Sequence, residues 1–232
     1  MMVNNIKSGK LTAIIGSSRS GKTQFALDQL KPFKFVLIWD VEEQYQCTYR
    51  VRNRIDLFNL ICVRIGKKCP KKAERIAYTG SLNDFNTFCQ FAFWWVRKMG
   101  GYGEQTAIVF EETADVTSPA KAPEHYGILL RRSLKYGVHL FCITQRPAES
   151  DKTSIGNASI VHVCRLSLPR DRKFAADATG IDREIINDLR ADQDKGHFDY
   201  VTADMGRGHY SLGYLNFKNQ KPIFKSLSPT PI

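Results

Sequence analysis

The sequence of 232 residues contains no long hydrophobic run. Its longest aromatic and apolar stretch, residues 85–96, is too short and too interrupted to span a bilayer. The first ten residues, MMVNNIKSGK, lack the pattern of a signal peptide. These absences argue against a secreted or membrane-spanning protein, so we expect a chain that does not insert itself into a membrane.

Cysteine occurs without the spacing that metal or redox sites require. The six cysteines form no CxxC pair, and no metal-ligand spacing appears elsewhere. Two of the cysteines lie in apolar, strand-like runs, where a reduced thiol is expected to fill the core. The pattern argues against a zinc site and indicates a reducing, cytosolic compartment.

Acidic residues are scarce relative to basic ones. The chain has 34 Lys and Arg against 23 Asp and Glu, a net charge of +11, which makes a polyanionic partner plausible. The excess is concentrated in residues 50–75, where nine basic residues accompany two acidic ones. Gly66 and Pro70 interrupt this stretch, so we interpret residues 46–74 as an irregular basic insertion.

The chain also lacks repeats and low-complexity tracts, and its length suits a single domain over residues 1–232. Short runs rich in Val, Ile and Phe alternate with segments of helical period, which predicts an α/β fold with a mainly parallel sheet flanked by helices. The region 197–232 is predicted to hold a β-hairpin, formed by strands 198–203 and 210–217, and a tail. The other predicted strands are 11–15, 35–39, 75–78, 106–110, 139–144 and 159–166. The predicted helices are 22–30, 82–99, 125–136, 170–178 and 183–189.

The segment GSSRSGKT at residues 16–23 matches the phosphate-binding pattern GxxxxGK[ST], with an apolar strand before it and a helix-forming segment after it. Its glycines let backbone N–H groups turn toward phosphates, and the helix amino terminus favours an anion there. Lys22 is expected to reach the β- and γ-phosphates of ATP, and Thr23 to ligate Mg²⁺. The sequence therefore predicts a P-loop NTPase. The other residues expected to line the nucleotide are Gly16, Ser17, Ser18, Arg19, Ser20, Gly21 and Gln24.

A second motif, AIVFEE at residues 107–112, is an apolar strand that ends in two carboxylates, as a Walker B strand does. Glu111 is expected to hold Mg²⁺ through water, and Glu112 to orient or deprotonate the attacking water. Many such strands carry Asp in place of Glu111, so the division of roles within the pair stays open. Two further strands between the loop and this motif, with the added glutamate, indicate hydrolysis and a RecA-like (ASCE) arrangement. The alternative is that both acids merely end a strand at the surface.

Gln145 ends the predicted strand 139–144 and is followed by Arg146 and Pro147. A polar residue at the tip of a strand beside the Walker B strand can contact both the γ-phosphate and the attacking water. Gln145 is therefore a candidate sensor, the alternative being a simple turn that Pro147 stops.

Three stretches resemble the FtsK-HerA superfamily of P-loop motors. LRRSLKYGVHLFCITQRP at 130–147 is similar to the stretch in which an arginine-bearing helix leads through a glycine into a strand ending TQRP. LIWDVEEQY at 37–45 resembles the HerA-like second strand, and SIVHVCRLSLPRDRKF at 159–174 the later strand and helix. Within the superfamily, the short chain resembles the genome-packaging ATPases of membrane-containing icosahedral viruses. Arg19 departs from the pattern, because small residues are usual at its place.

The resemblance implies a homo-oligomeric ring, usually a hexamer, that translocates double-stranded DNA and binds ATP between subunits. An arginine of the neighbouring subunit would complete the site, and Arg131 and Arg132 match its position. Which of the two serves is open, and a solvated helix face is the alternative. The viral branch further implies a location in the host cytoplasm or at the packaging vertex of the virion, with a portal-vertex or viral membrane protein as a possible partner.

Four lysines in the run GKKCPKK have the charge for phosphate contacts that ignore DNA sequence, although a solvated loop is an equal alternative. We call them the lysine loop: Lys67, Lys68, Lys71 and Lys72.

The leading hypothesis is an ATPase that drives DNA translocation. A nucleoside kinase should carry an arginine-rich lid and a GTPase an NKxD motif, and neither pattern is found in the sequence. The alternative outside DNA motors is an assembly factor in which ATP binding builds a ring and hydrolysis is incidental.

Overall fold

The computed structural model describes residues 9–99, 103–218 and 221–232 of the chain. Its strands are β1 (Leu11–Ile15), β2 (Phe35–Trp39), β3 (Tyr49–Val51), β4 (Glu74–Tyr78), β5 (Thr106–Phe110), β6 (His139–Thr144), β7 (Ile160–Cys164), β8 (Ala191–Asp192), β9 (His197–Asp204), β10 (His209–Lys218), β11 (Lys221–Ser226) and β12 (Thr230–Pro231). Its α-helices are α1 (Lys22–Gln29), α2 (Arg54–Cys62), α3 (Phe85–Met99), α4 (Glu124–Arg132), α5 (Lys152–Gly156), α6 (Pro169–Thr179) and α7 (Arg183–Asp188).

Within the described residues, the strands form one mixed sheet in the order β11-β10-β9-β7-β1-β6-β5-β2-β4-β3. The short strand β8 pairs with β9, and β12 pairs with β10. Neighbouring strands from β7 to β3 are parallel. The strands β9, β10 and β11 run antiparallel to their neighbours. The predicted class, an α/β fold with a mainly parallel sheet flanked by helices, is confirmed.

The central strands are buried on both faces, which is why they read as continuous apolar runs rather than as alternating ones. In β2, Leu37 and Trp39 join the larger core cluster, whereas Val36 and Ile38 join the smaller one that contains Phe25 of α1. Because successive side chains of a strand point to opposite faces, the two clusters lie on opposite sides of the sheet. Both faces of the central sheet are therefore covered.

Helix α3 supplies much of the larger cluster. Phe85, Phe88, Cys89, Ala92 and Trp95 are buried, and their spacing of three and four residues places them on one helix face. The rings of Phe85 and Phe88 contact the Trp39 ring edge-on, at centroid distances of 5.1 and 5.4 Å. This aromatic packing fixes α3 against β2.

The expectation of an irregular insertion at residues 46–74 is wrong for its first half. This segment contains β3, which extends the sheet beside β4, and α2, which packs on α3. The side chain of Asn53 caps α2 by accepting a hydrogen bond from the Asp56 backbone N–H at 2.9 Å. The buried side chains of this helix are Leu57 and Ile61.

The predicted carboxyl-terminal hairpin is present as β9 and β10, with Met205-Gly206-Arg207-Gly208 at its turn. The tail after the hairpin, for which no strand was predicted, forms the further strand β11. It pairs with β10 over six residue pairs, from Gly213 opposite Ser226 to Lys218 opposite Lys221. The antiparallel part of the sheet joins the parallel part through β9 and β7. The loop between β1 and α1 therefore lies beside the antiparallel strands.

The parallel strands give the sheet two distinct edges. At the carboxyl edge the strands β1, β5 and β6 end together, with Ile15 opposite Thr144 in the register. At the amino edge, the Gly9 N–H donates to the Leu134 carbonyl at 2.8 Å, so the end of the α4 region lies where β1 begins. In the described ranges no helix is long and apolar enough to cross a membrane.

Candidate active site

The loop that follows β1 is held between the ends of β6 and β7. The Gly16 N–H donates to the Thr144 carbonyl at 3.2 Å, and the Ser17 N–H donates to the Arg165 carbonyl at 2.8 Å. A β-carbon at Gly16 would lie 2.6 Å from Ser20 Oγ and 2.7 Å from Cys164 Cβ. Both distances are too short for non-bonded atoms, so glycine, which has no β-carbon, fits this position without a clash. The loop therefore curls tightly at the carboxyl edge.

Two residues of the loop have left-handed backbone conformations, Arg19 with φ of 57° and Gly21 with φ of 98°. Alternation of left- and right-handed residues turns successive N–H groups inward and forms an anion-binding concavity. A side chain at Gly21 would be strained, whereas Arg19 adopts φ above zero with its side chain exposed. The unexpected arginine is thus compatible with the cradle that the motif predicts.

Lys22 begins α1 and is only 6% exposed. Its Nζ donates to the Ser17 carbonyl at 2.9 Å. Burial lowers the pKa of Lys22, and the nearby carboxylates of Glu111 and Glu112 act in the opposite direction. The structure thus brings the lysine of the loop and the two glutamates of the second motif into one electrostatic cluster.

Thr23, the expected Mg²⁺ ligand, contacts the loop that follows β2. Its hydroxyl donates to Gln44 Oε1 at 3.2 Å, and Gln44 Nε2 donates to Glu42 Oε2 at 2.6 Å. Sequence reasoning did not single out Gln44. Its only signal was membership of the LIWDVEEQY stretch that carries the superfamily resemblance.

Glu111 is 6% exposed and accepts a hydrogen bond from the buried Tyr45 hydroxyl at 2.8 Å. Burial raises the pKa of Glu111 to about 7, while the Tyr45 hydroxyl and the Lys22 charge lower it. Desolvation is the larger effect because little water reaches the carboxylate. Glu111 is therefore a carboxylate held in place by a side chain 66 residues away in sequence.

The loop after β2 positions Tyr45. Asp40 is fully buried and accepts hydrogen bonds from the Gln44 N–H at 2.8 Å and the Tyr45 N–H at 3.1 Å. Arg50 bridges the same loop, donating to Asp40 Oδ2 at 3.1 Å and to the Tyr45 carbonyl at 2.6 Å. The ordered loop thus connects the end of β2 to Glu111.

Glu112 lies in a left-handed backbone conformation with φ of 44°. Its Oε1 accepts from the Thr144 hydroxyl at 3.0 Å and from the Gln145 N–H at 3.1 Å. Burial raises the pKa of Glu112, and the bonds from Gln145 and Thr144 lower it. Non-glycine residues in this conformation cost on the order of 1–3 kcal/mol and are concentrated at functional sites.

The strand β6 therefore ends against Glu112, and the sensor role of Gln145 stays a prediction. The contact uses the hydroxyl of Thr144 and the backbone of Gln145, whose side chain is half-buried. Thr144 was not identified from the sequence. A hydroxyl at the last position of a strand next to paired carboxylates could have indicated it.

The donor set suits a nucleotide that brings its own Mg²⁺. In the described part of the chain, no three side chains of His, Cys, Asp or Glu converge on a metal position. Mg²⁺ at nucleotide sites keeps several waters and takes further ligands from phosphates, so one hydroxyl and one carboxylate fit it. Thr23 and Glu111 provide this pair near the loop.

Comparisons with known proteins concern the sequence and the fold. No protein-family model matches the chain. Over 146 residues, 61% of this chain, it is 38% identical to Protein P9 of Pseudoalteromonas phage PM2, and the match spans 62% of that protein, less than two thirds of its length. The genome-packaging NTPase B204 of Sulfolobus turreted icosahedral virus 2, solved in complex with AMPPCP, superposes with a TM-score of 0.65 at 12% identity, over 88% of this chain and 96% of that one.

A second structure of B204, described as the DNA-packaging ATPase of Sulfolobus turreted icosahedral virus, gives a TM-score of 0.60 at 14% identity, covering 89% of this chain and 97% of that one. The chain has the fold of a viral genome-packaging NTPase. The resemblance to viral packaging ATPases that the sequence motifs indicate is thereby confirmed. At these identities the structural likeness concerns the fold alone.

Arg131 and Arg132 lie away from the phosphate loop. They are exposed at the end of α4, just before Leu134, whose carbonyl bonds to Gly9 at the amino edge. Lys22 lies at the opposite edge of the sheet. Both arginines therefore lie at the edge of the sheet opposite to Lys22.

The lysine loop is also at the amino edge. Cys69, in the middle of the loop, donates through Sγ to Gln105 Oε1 at 3.0 Å, and Gln105 directly precedes β5. All four lysines are exposed. Any DNA bound there would lie at the edge of the sheet opposite to the phosphate loop.

The raised pKa of Glu111 predicts a specific pH dependence of stability. With its pKa at about 7 in the fold against an ordinary 4.5, Glu111 favours the folded state below pH 4.5, and this stabilisation is lost as the pH rises to 7. The free energy of unfolding of the wild type should therefore fall relative to that of Glu111→Gln across this window, by up to roughly 3 kcal/mol. Urea unfolding of both proteins in a chelator measures the difference.

In Tyr45→Phe the same transition is expected at higher pH, because this variant lacks the hydroxyl that stabilises the charged carboxylate. A difference between wild type and Glu111→Gln that stays constant from pH 4.5 to 7 would contradict the assignment.

Proposed function

We propose that this protein is an ATP-driven double-stranded DNA translocase that packages a viral genome and hydrolyses ATP at the subunit interfaces of a homo-oligomeric ring. One observation carries the proposal. A P-loop with a buried lysine faces two glutamates, and the second glutamate is bonded to the tip of the strand that lies between the two motifs. The fold and the relative with a matching sequence support the viral assignment. The hexameric ring is an inference from the superfamily resemblance.

The chemistry proposed for the site is hydrolysis by an activated water. The loop 16–23 would bind the triphosphate through its inward-facing N–H groups, and Lys22 would exchange its bond to Ser17 for the β- and γ-phosphates. Glu112 would orient and deprotonate the water. Its pKa is raised by burial, and a carboxylate is a better base when its pKa lies closer to the working pH.

Mg²⁺, when bound with ATP, would neutralise phosphate charge as it develops. Thr23 and Glu111 are the residues proposed to hold it. For Thr23 this requires the hydroxyl to leave Gln44, which is exposed and bonded to Glu42. Tyr45 would keep Glu111 oriented, since its hydroxyl is buried and bonded to the carboxylate. Gln145 would sense the γ-phosphate from the tip of β6.

Arg131 or Arg132 is proposed to act on the ATP of a neighbouring subunit. Their position at the amino edge, exposed and remote from Lys22 of the same chain, supports action across an interface. An arginine supplied in trans stabilises charge on the transferring phosphoryl group. Hydrolysis would thereby depend on ring assembly.

The amino edge is proposed to contact DNA. Besides the lysine loop, exposed basic side chains precede three other strands at this edge, and the charge suits sequence-independent contacts with phosphates. Acidic residues at this edge include the exposed Glu104, which precedes β5, and Glu74, which begins β4 and pairs with Arg64. The additional basic residues are Lys10 before β1, Lys34 before β2 and Lys135 before β6. The protein is proposed to act in the host cytoplasm or at the packaging vertex of the virion. A portal-vertex protein or a viral membrane protein is the further partner proposed there.

The first test is ATP hydrolysis with and without long duplex DNA. The wild type should hydrolyse ATP faster when DNA is present, and Lys22→Ala and Glu112→Gln should each lose at least about 100-fold in rate, because charge stabilisation or water activation is removed. Lys152→Ala, an exposed lysine elsewhere, is the control and should keep its rate. Nucleotide binding without turnover would favour an assembly factor, and DNA-independent transfer of phosphate to a nucleoside would favour a kinase.

A mixing experiment tests the arginines. Arg131→Ala or Arg132→Ala should reduce hydrolysis by about 10³-fold or more if that residue acts in trans. Mixing the affected variant with Glu112→Gln should restore part of the activity, since the site of one subunit then meets the arginine of the other. A mixture of Lys22→Ala and Glu112→Gln is the control, because both lesions lie in the same half of the site. Absence of rescue at every mixing ratio would exclude a trans role.

Salt dependence tests the amino edge. Replacing the four lysines of the lysine loop with Gln should flatten the plot of log affinity for duplex DNA against log salt concentration, by about 0.9 for each lysine that neutralises a phosphate in the wild type. A fluorescence anisotropy titration at several salt concentrations measures the slope. An unchanged slope would remove the lysine loop from the proposed DNA-binding surface. The control removes the same charge elsewhere, by replacing Lys152, Lys173, Lys195 and Lys221.

A further inference from the structure

A cavity of about 340 Å³ lies on the side of the phosphate loop that faces the antiparallel strands. One wall is the end of the loop and the first turn of α1, from Arg19 to Gln24. The opposite wall consists of Gln193, Phe198 and Phe217 from the carboxyl-terminal region. The phosphate cradle thus continues into a pocket with an aromatic wall.

The register of β9 and β10 explains why two phenylalanines line it. Phe198 is opposite Leu215, and Phe217 lies two residues beyond Leu215, so the three side chains share one face of the sheet. The same face meets the loop, because a β-carbon at Gly21 would be 3.4 Å from Leu215 Cδ2 and 3.5 Å from Phe198 Cβ. The aromatic wall is therefore positioned by the sheet rather than by a loose segment.

Phe217 lies beside Gly196 and against Phe198. The Phe217 N–H donates to the Gly196 carbonyl at 3.3 Å, so Gly196 is its neighbour across the strands. The Phe217 ring meets the Phe198 ring edge-on, with centroids 6.0 Å apart and planes at 84°. Phe217 nevertheless remains 39% exposed. An aromatic face next to a phosphate site is thus left open to a ligand.

The polar part of the lining suits a neutral ring attached to an anion. Gln24 and Gln193 each offer an amide donor and an amide acceptor, and Arg19 and Lys22 supply positive charge toward the loop. Among the described residues that line the cavity, none is acidic. Such a combination matches the base and phosphates of a nucleotide.

We propose that this cavity binds the base of the nucleoside triphosphate, with the base stacked on Phe217 and its polar edge facing Gln24 and Gln193. The inference rests on the proposed function, since the phosphates must occupy the loop 16–23. It extends that function by giving the carboxyl-terminal antiparallel strands a role in nucleotide binding. Stacking of a base on an aromatic side chain tolerates different bases, and the glutamine amides would hydrogen-bond the polar edge of the base.

The proposal is tested by isothermal titration calorimetry, which measures the affinity of the protein for ATP and for inorganic tripolyphosphate. Only ATP carries a base. Phe217→Ala should weaken ATP binding on the order of tenfold and leave tripolyphosphate binding unchanged. Phe217→Tyr, which keeps the ring, should bind ATP as the wild type does. Ile223→Ala is the matched control, since Ile223 is also 39% exposed on the neighbouring strand and does not line the cavity.

The possible results separate the base pocket from the phosphate loop. Unchanged ATP affinity in Phe217→Ala, or an equal loss for ATP and tripolyphosphate, would overturn the base pocket while the loop assignment stands. Failure of the wild type to bind tripolyphosphate or ATP would overturn both. Circular dichroism and thermal unfolding of Phe217→Ala establish that the variant is folded before its affinity is compared.

Discussion

The position of β6 between β1 and β5 is the constraint on which the site depends. The strand pairs with β1 on one side and β5 on the other, and its last residue Thr144 lies opposite Ile15. From this position the Thr144 carbonyl receives the Gly16 N–H while its hydroxyl bonds to Glu112. One residue therefore connects the start of the phosphate loop to the carboxylate proposed to activate water.

The site concentrates charge where water is largely excluded. Lys22 and Glu111 are almost fully buried. Burial lowers the pKa of Lys22 and raises the pKa of Glu111, so it favours the neutral form of each side chain. Buried charges are costly unless they are paired and hydrogen-bonded, and the bonds from Lys22 to Ser17 and from Tyr45 to Glu111 partly satisfy them. A bound triphosphate would give Lys22 a fuller partner, which is one physical reason for the cluster to bind an anion.

The two edges of the sheet carry different properties. The carboxyl edge holds the loop, both glutamates and the tip of β6, whereas the amino edge carries exposed basic residues, including the lysine loop and the arginines at the end of α4. In a ring this separation would let one subunit present its arginine to the nucleotide of the next. Assembly, hydrolysis and DNA contact would then be coupled through opposite ends of the same strands.

The sequence by itself determined the central strands, the phosphate loop and the paired glutamates, because local features specify them: continuous apolar runs, glycines at required turns and a fixed spacing. The irregular insertion predicted for residues 46–74 was wrong in its first half, because the basic run and the breakers Gly66 and Pro70 outweighed the apolar residues of α2, of which Leu57 and Ile61 are buried. Only the tertiary structure brought Tyr45 to Glu111, Thr144 to Glu112 and Phe217 to the loop. These contacts join residues that are far apart along the chain, and strand order and register decide them, which no local pattern encodes.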